Sequence, residues 1–172
     1  YDKVSFLIKK YKVINECYQK AQHYIQLASN SLTVFKDSKE KDALEFYGRN
    51  LGLTFQIADD TLDYNSELKL FGKKIGQDFF EGKITLPIIL LFQKLWNDEK
   101  KILSIKFNKE LRTKDDFNEV LALINKYKII QECYHKAQHY INLASNSLSV
   151  FKDSKEKTIL KKLTSFSLSR NF

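Results

Sequence analysis

Apolar residues recur along this chain with the period of an α-helix, and the residues that break helices are gathered in its middle. Ile14, Cys17, Tyr18, Ala21, Tyr24, Ile25, Ala28, Leu32 and Phe35 follow one another at helical steps. That spacing places side chains on one face of a helix. All 5 glycines and the 1 proline fall between Gly48 and Pro87, so both flanks read as helical. The pattern predicts a helix from near Tyr1 to Phe35, another from about Ser38 to Tyr64, and a loop to Thr85. A helix from about Leu86 to Trp96 follows, with Pro87 in its first turn, where a missing N–H costs little. A shorter helix is expected near Lys101 to Phe107, then a long one capped by Thr113 and running to about Phe151, then a last one to about Leu168. Asp37 and Glu40 predict a capping box after a break near Lys36, and Asp153 and Glu156 repeat that signal. The expected fold class is all-α.

Part of this pattern occurs twice. Residues 11–41 recur as residues 127–157 with conservative changes such as Val13/Ile129 and Thr33/Ser149. Two copies are too few for a stacked array, which needs three or more units to bury a shared core. They read as a segmental duplication. The expected organisation is a single helical domain over 1–172, with 1–44 a duplicate of 117–160, a distinct segment at 45–92, and C-terminal helices over 93–172. The first copy carries an apolar face that duplicates the second, so self-association into a homo-oligomer is expected.

Composition removes several function classes. Hydrophobic residues make up 43% and charged residues 29%, a balance that excludes intrinsic disorder. The net charge is +8, but lysine carries nearly all of it, and the only arginines are Arg49, Arg112 and Arg170. Nucleic-acid recognition favours clustered arginine forks, so no nucleic-acid partner is expected. Cys17 and Cys133 lie on apolar helical stripes and read as buried free thiols in a reducing, cytoplasmic setting. The most apolar run, Leu86 to Phe92, is too short to span a bilayer, so no transmembrane segment is expected. His135 and His139 share a helical face without a completing ligand set, and read as partly exposed helix histidines.

Candidate chemistry is concentrated in the middle. Asp59 and Asp63 lie four apart on a predicted helix, one turn above the other, with Asp60 beside them. Carboxylates crowded near a helix C-terminus repel each other and the helix dipole, and a cation offsets that cost. Mg2+ suits them: it takes oxygen ligands and binds through one or two carboxylates plus substrate phosphates. Downstream, Gly72-Lys73-Lys74-Ile75-Gly76-Gln77-Asp78 and Glu81-Gly82-Lys83-Ile84-Thr85-Leu86-Pro87 supply glycines for close backbone approach and lysines for phosphate.

Phe55-Gln56, the Asp-Asp-x-x-Asp run, Gly-Lys-x-x-Gly-x-Asp and Glu-Gly-Lys-x-Thr-Leu-Pro, in this order, resemble the second aspartate-rich region of the trans-polyprenyl diphosphate synthases, and most of all the long-chain bacterial, octaprenyl-type enzymes. The resemblance implies part of an isoprenoid-synthase helical bundle and a prenyltransferase of isoprenoid biosynthesis that condenses isopentenyl diphosphate with an allylic diphosphate. It implies Asp59, Asp60 and Asp63 as the metal-binding motif, Lys73 and Lys83 as diphosphate contacts, and Phe55 and Gln56 as pocket lining. It also implies a first aspartate-rich motif followed by an arginine pair, which this sequence does not contain. Asp115-Asp116, the only other Asp pair, reads instead as the first turn of a helix. The expectation is one Mg2+–diphosphate half-site without elongation activity on its own; the alternative is an inactive helical remnant of a rearranged synthase gene.

Overall fold

The computed structural model describes residues 23, 26–65 and 75–169. Cys17, Lys73, Lys74 and most of the first expected helix lie outside them. Every regular element among the described residues is helical. From Lys39 onward they are α1 (Lys39–Leu62), α2 (Gln77–Glu81), α3 (Leu86–Lys94), α4 (Asn97–Phe107), α5 (Lys114–Lys126), α6 (Ile129–Ser147), a 3-10 turn (Leu148–Val150) and α7 (Lys155–Ser169). Contacts divide the chain into two compact units, residues 1–45 and 46–172.

In the first unit, residues 26–30 are helical and a turn follows at 31–34. The helix stops before the predicted Phe35. Ser31 Oγ donates to the Ala28 carbonyl at 2.6 Å and Thr33 Oγ1 to the Asn30 carbonyl at 2.7 Å. Such hydroxyls compete with the backbone for helix carbonyls. Helix α1 opens on Ser38, whose Oγ accepts the Lys41 N–H at 3.2 Å. Asp37, the predicted cap, instead pairs with Lys41 Nζ at 2.7 Å.

The second copy of the repeat, in the other unit, makes the same local contacts. Ser147 Oγ donates to the Ala144 carbonyl, Ser154 Oγ accepts the Lys157 N–H, and Asp153 pairs with Lys157. The sequence placed both caps one residue early. Serine takes the capping position because its short side chain reaches the amide three residues on.

Helix α6 is central to residues 46–172: α3, α5 and α7 all pack on it. The core joins Leu91 of α3, Leu103 of α4, Val120 and Ile124 of α5, and Ile129, Cys133 and Ala137 of α6, with Ile57 of α1. Each fully buried Leu or Ile contributes roughly 1.5–3 kcal/mol. Helix α1 is stitched to this core by hydrogen bonds as well. Tyr47 Oη donates to the Leu160 carbonyl at 2.8 Å, and Thr54 Oγ1 lies 3.4 Å from the Ala137 carbonyl.

The long helix predicted from Thr113 to Phe151 is two helices. Lys128 adopts φ 54, the left-handed region, and the chain reverses there. An L-residue pays roughly 1–2 kcal/mol in that conformation. Folding back lets Ile124 and Ile129, both fully buried, enter one core, and that burial outweighs the strain. Thr113 does cap α5, accepting the Asp116 N–H at 3.2 Å, and Pro87 sits in the first turn of α3. Cys133 is a buried free thiol whose pKa burial pushes up to about 11.

Candidate functional site

Helix α1 delivers the acidic motif at its C-terminal end. Gln56 and Asp60, four apart, share a face, and Gln56 Nε2 donates to Asp60 Oδ1 at 2.6 Å. Asp60 Oδ2 accepts the Leu86 N–H at 3.4 Å, so the end of α1 touches the start of α3. Asp59 and Asp60 both remain partly exposed. Burial raises the Asp60 pKa above its ordinary 3.8; the hydrogen bonds from Gln56 and Leu86 oppose this, and the charges of Asp78 and Asp59 add to it. No lysine or arginine among the described residues pairs with Asp60. The carbonyl end of a long helix adds to the cost of holding a carboxylate there.

Asp63 has a different position. It is 3% exposed, and its two carboxylate oxygens accept the N–H groups of Gln77 at 3.1 Å and Asp78 at 2.8 Å. Its carbonyl accepts the Gly76 N–H at 2.9 Å. The third aspartate of the run thus caps the short helix α2, which the sequence placed within a loop, and joins it to α1. Gly76 has φ 84, and a Cβ there would meet the Phe117 ring at 2.7 Å; Gly82 has φ 76, and its Cβ would meet Arg112 Nη2 at 2.5 Å. In the sequence, the glycines of this segment suit close ligand approach. At these two positions the space goes to the protein's own side chains and the backbone needs the left-handed region.

Lys83 lies just beyond Gly82. Its side chain is 57% exposed and reaches Glu81 at 2.7 Å and Asp78 at 3.1 Å. Those two carboxylates raise its pKa above the ordinary 10.5. Phe55 is 46% exposed, and Gln56 is exposed beside it. Asp60, Asp63 and Lys83 therefore lie where α1, α2 and α3 meet, Phe55, Gln56 and Asp59 lie on the last turns of α1, and Lys73 lies outside the described residues. Among the described residues no three His, Cys, Asp or Glu side chains form a metal-holding group. The donor set nevertheless fits a hard cation held from one side: partly exposed Asp59 and Asp60, with excess negative charge at Asp60. His135 and His139 are exposed on α6, as expected.

Four further residues shape this region. Asp78 connects Asp63 to Lys83; it ended the glycine–lysine motif in the sequence, but nothing there indicated its bridging position. The hydroxyls of Tyr64 and Thr85 are buried beside each other; burial raises the Tyr64 pKa, and the Thr85 hydroxyl opposes that shift. Arg112 reaches in from the α4–α5 connection, and no local signal marks it. Asp116, in contrast to Asp60, is surrounded by donors: Lys109, Lys106 and Thr113 all contact its carboxylate. They hold its pKa well below the ordinary 3.8, with Lys109 foremost.

Comparison with known proteins extends the picture. The family model described as polyprenyl synthetase matches residues 2–124. The chain is 28% identical to an octaprenyl diphosphate synthase of Haemophilus influenzae over 90% of its own length and 47% of that protein's. It is 39% identical to a geranylgeranyl diphosphate synthase of Saccharolobus solfataricus over 72% of this chain and 38% of that one. Among solved structures, a polyprenyl synthase of Caulobacter crescentus complexed with calcium and isoprenyl diphosphate superposes with a TM-score of 0.72 at 33% identity, covering 80% of this chain and 42% of that chain. The chain thus spans about half the length of the curated relatives it matches. Among the described residues no helix is long and apolar enough to cross a membrane. With the family model matching well over half of the chain, and an all-helical fold shared with solved synthases, this protein belongs to the polyprenyl synthetase family.

Proposed function

We propose that residues 46–172 build one side of a prenyltransferase site that binds a prenyl diphosphate through Mg2+, for condensation of isopentenyl diphosphate with an allylic diphosphate. The observation that carries this reading is Asp60. Its carboxylate stands at the C-terminal end of α1, partly buried, beside Asp59 and Asp78, with a pKa raised by that setting. A fold seldom keeps such a group without a cation to offset it.

In this reading Asp59 and Asp60 are the metal ligands. Asp63 adds negative charge to the site while its oxygens hold α2 in place. Lys83 gives up Asp78 and Glu81 to take a diphosphate oxygen, and Lys73 is a second diphosphate contact. Phe55 and Gln56 line the pocket, and Gln56 also orients Asp60 by its hydrogen bond. A bound divalent ion would neutralise charge building on a departing pyrophosphate. The protein groups orient the diphosphate and stabilise its charge in place.

Titration calorimetry of the full chain with inorganic pyrophosphate, with and without Mg2+, tests this. One-sided binding should fall in the micromolar-to-millimolar range, on the order of −4 to −8 kcal/mol. Asp59→Ala with Asp60→Ala should abolish the Mg2+ dependence. Equal binding by this variant and the parent would place the site elsewhere.

A further inference from the structure

We propose that Arg112 is a positioning residue for Lys83, acting through the Gly82 turn; this rests on the reading of Lys83 as a diphosphate contact. Arg112 lies between α4 and α5, thirty residues along the chain from the turn it holds. Its Nη1 donates to the Phe80 carbonyl at 3.2 Å, its Nη2 donates to the Phe107 carbonyl at 2.6 Å, and its guanidinium lies 5.7 Å from the centre of the Phe107 ring. One planar fork thereby fastens the last turn of α2 to the end of α4. A guanidinium can hold two carbonyls in fixed directions; an ammonium is a point charge and cannot keep both geometries.

The fit between Arg112 and Gly82 is close. A Cβ on Gly82 would lie 2.5 Å from Nη2 and 2.9 Å from the guanidinium carbon, so the glycine is required partly because the arginine occupies the space. The next residue is Lys83, whose N–H donates to the Asp78 carbonyl at 2.8 Å. Its side chain is exposed and held by two exchangeable surface ion pairs, which are individually weak. Arg112 therefore fixes where Lys83 starts, and the Lys83 side chain alone moves when it changes partner. A loosened turn would let the whole residue wander, and ordering it on binding would cost affinity.

The test is a double-mutant cycle in the full chain, using Arg112→Lys and Lys83→Ala, read by calorimetry with Mg2+ and inorganic pyrophosphate. Arg112→Lys keeps the charge and most of the bulk. In the parent background it should weaken binding about fivefold, and in the Lys83→Ala background by less than about twofold, because the lysine it positions is gone. Hydrogen exchange supplies a second readout: the Lys83 amide should exchange faster in Arg112→Lys and in Arg112→Gln, while core amides of α6 keep their protection. Equal losses in both backgrounds, or an unchanged Lys83 amide, would overturn the role given to Arg112. A parent chain that shows no Mg2+-dependent pyrophosphate binding would overturn the reading of the site itself, and with it any role for Lys83 to be positioned in.

Discussion

The molecule carries two Asp-Asp pairs, and its helices treat them in opposite ways. Asp115-Asp116 opens α5, where helix N–H groups favour negative charge, and Asp116 is buried among Lys106, Lys109 and Thr113. Asp59-Asp60 closes α1, where helix carbonyls disfavour it, and the neighbours of Asp60 include Asp78 and Asp59. Asp116 is completed inside the protein and has its pKa lowered. Asp60 has its pKa raised and, in our reading, is completed by a cation. The same two letters in the sequence thus serve stability in one place and, in the function we propose, binding in the other.

The largest effect should come from breaking the completed pair. Asp116→Ala would leave Lys106, 6% exposed, with only the more exposed Glu119 as a partner and remove half of the α5 capping box. Losing one partner of a buried ion pair is strongly destabilising, and the melting temperature should drop by roughly 5–10 °C. The pH dependence has a definite sign. The Asp116 pKa is lower folded than unfolded, so its contribution is complete above the ordinary 3.8 and is lost as pH falls toward the folded value. Thermal melts across the acid range should show this limb in the parent, and a weaker one in Asp116→Asn.

A smaller loss is expected from Gly76→Ala. A left-handed alanine and a contact of 2.7 Å with Phe117 should together cost about 1–3 kcal/mol in chemical denaturation. Because Asp63 holds the Gly76 N–H, this variant should also weaken Mg2+-dependent pyrophosphate binding, which separates the joint's role in binding from stability alone when compared with Asp116→Ala.

Smallest and opposite in sign is Asp60→Asn. A raised folded pKa means that Asp60 favours folding at low pH, and that this contribution is lost as pH rises through the folded value. Removing the charge at neutral pH should raise the melting temperature by about 1–3 °C without metal, while Mg2+-dependent binding falls. A melting temperature lowered to the extent seen in Asp116→Ala would mean that the two pairs are not opposites.

Much of this contrast could be read from the sequence, and the rest depended on long-range packing. Helical periodicity identified the all-α class, and the spacing of Asp59, Asp60 and Asp63 pointed to the candidate site. Thr113 and Pro87 signalled two helix starts through local chemistry that needs no tertiary context. The reversal at Lys128 was not legible, because a lysine carries no preference for left-handed backbone and only the burial of Ile124 and Ile129 explains it. The capping of α2 by Asp63 was also invisible: residues 63 and 77 meet through the fold, and spacing within one helix suggested three equivalent carboxylates. Arg112 was hidden for the same reason, since its partners Phe80 and Gly82 lie on another element.

The most direct test of the contrast is a carboxyl-carbon NMR titration of Asp60 and Asp116 in one sample, before and after adding Mg2+ and pyrophosphate. Asp60 should titrate above the ordinary carboxylate value of 3.8 and move downward on addition, while Asp116 should titrate below it and stay in place. An Asp60 that titrates at or below 3.8, or that does not respond to Mg2+ with pyrophosphate, would contradict the claim that a cation completes this pair.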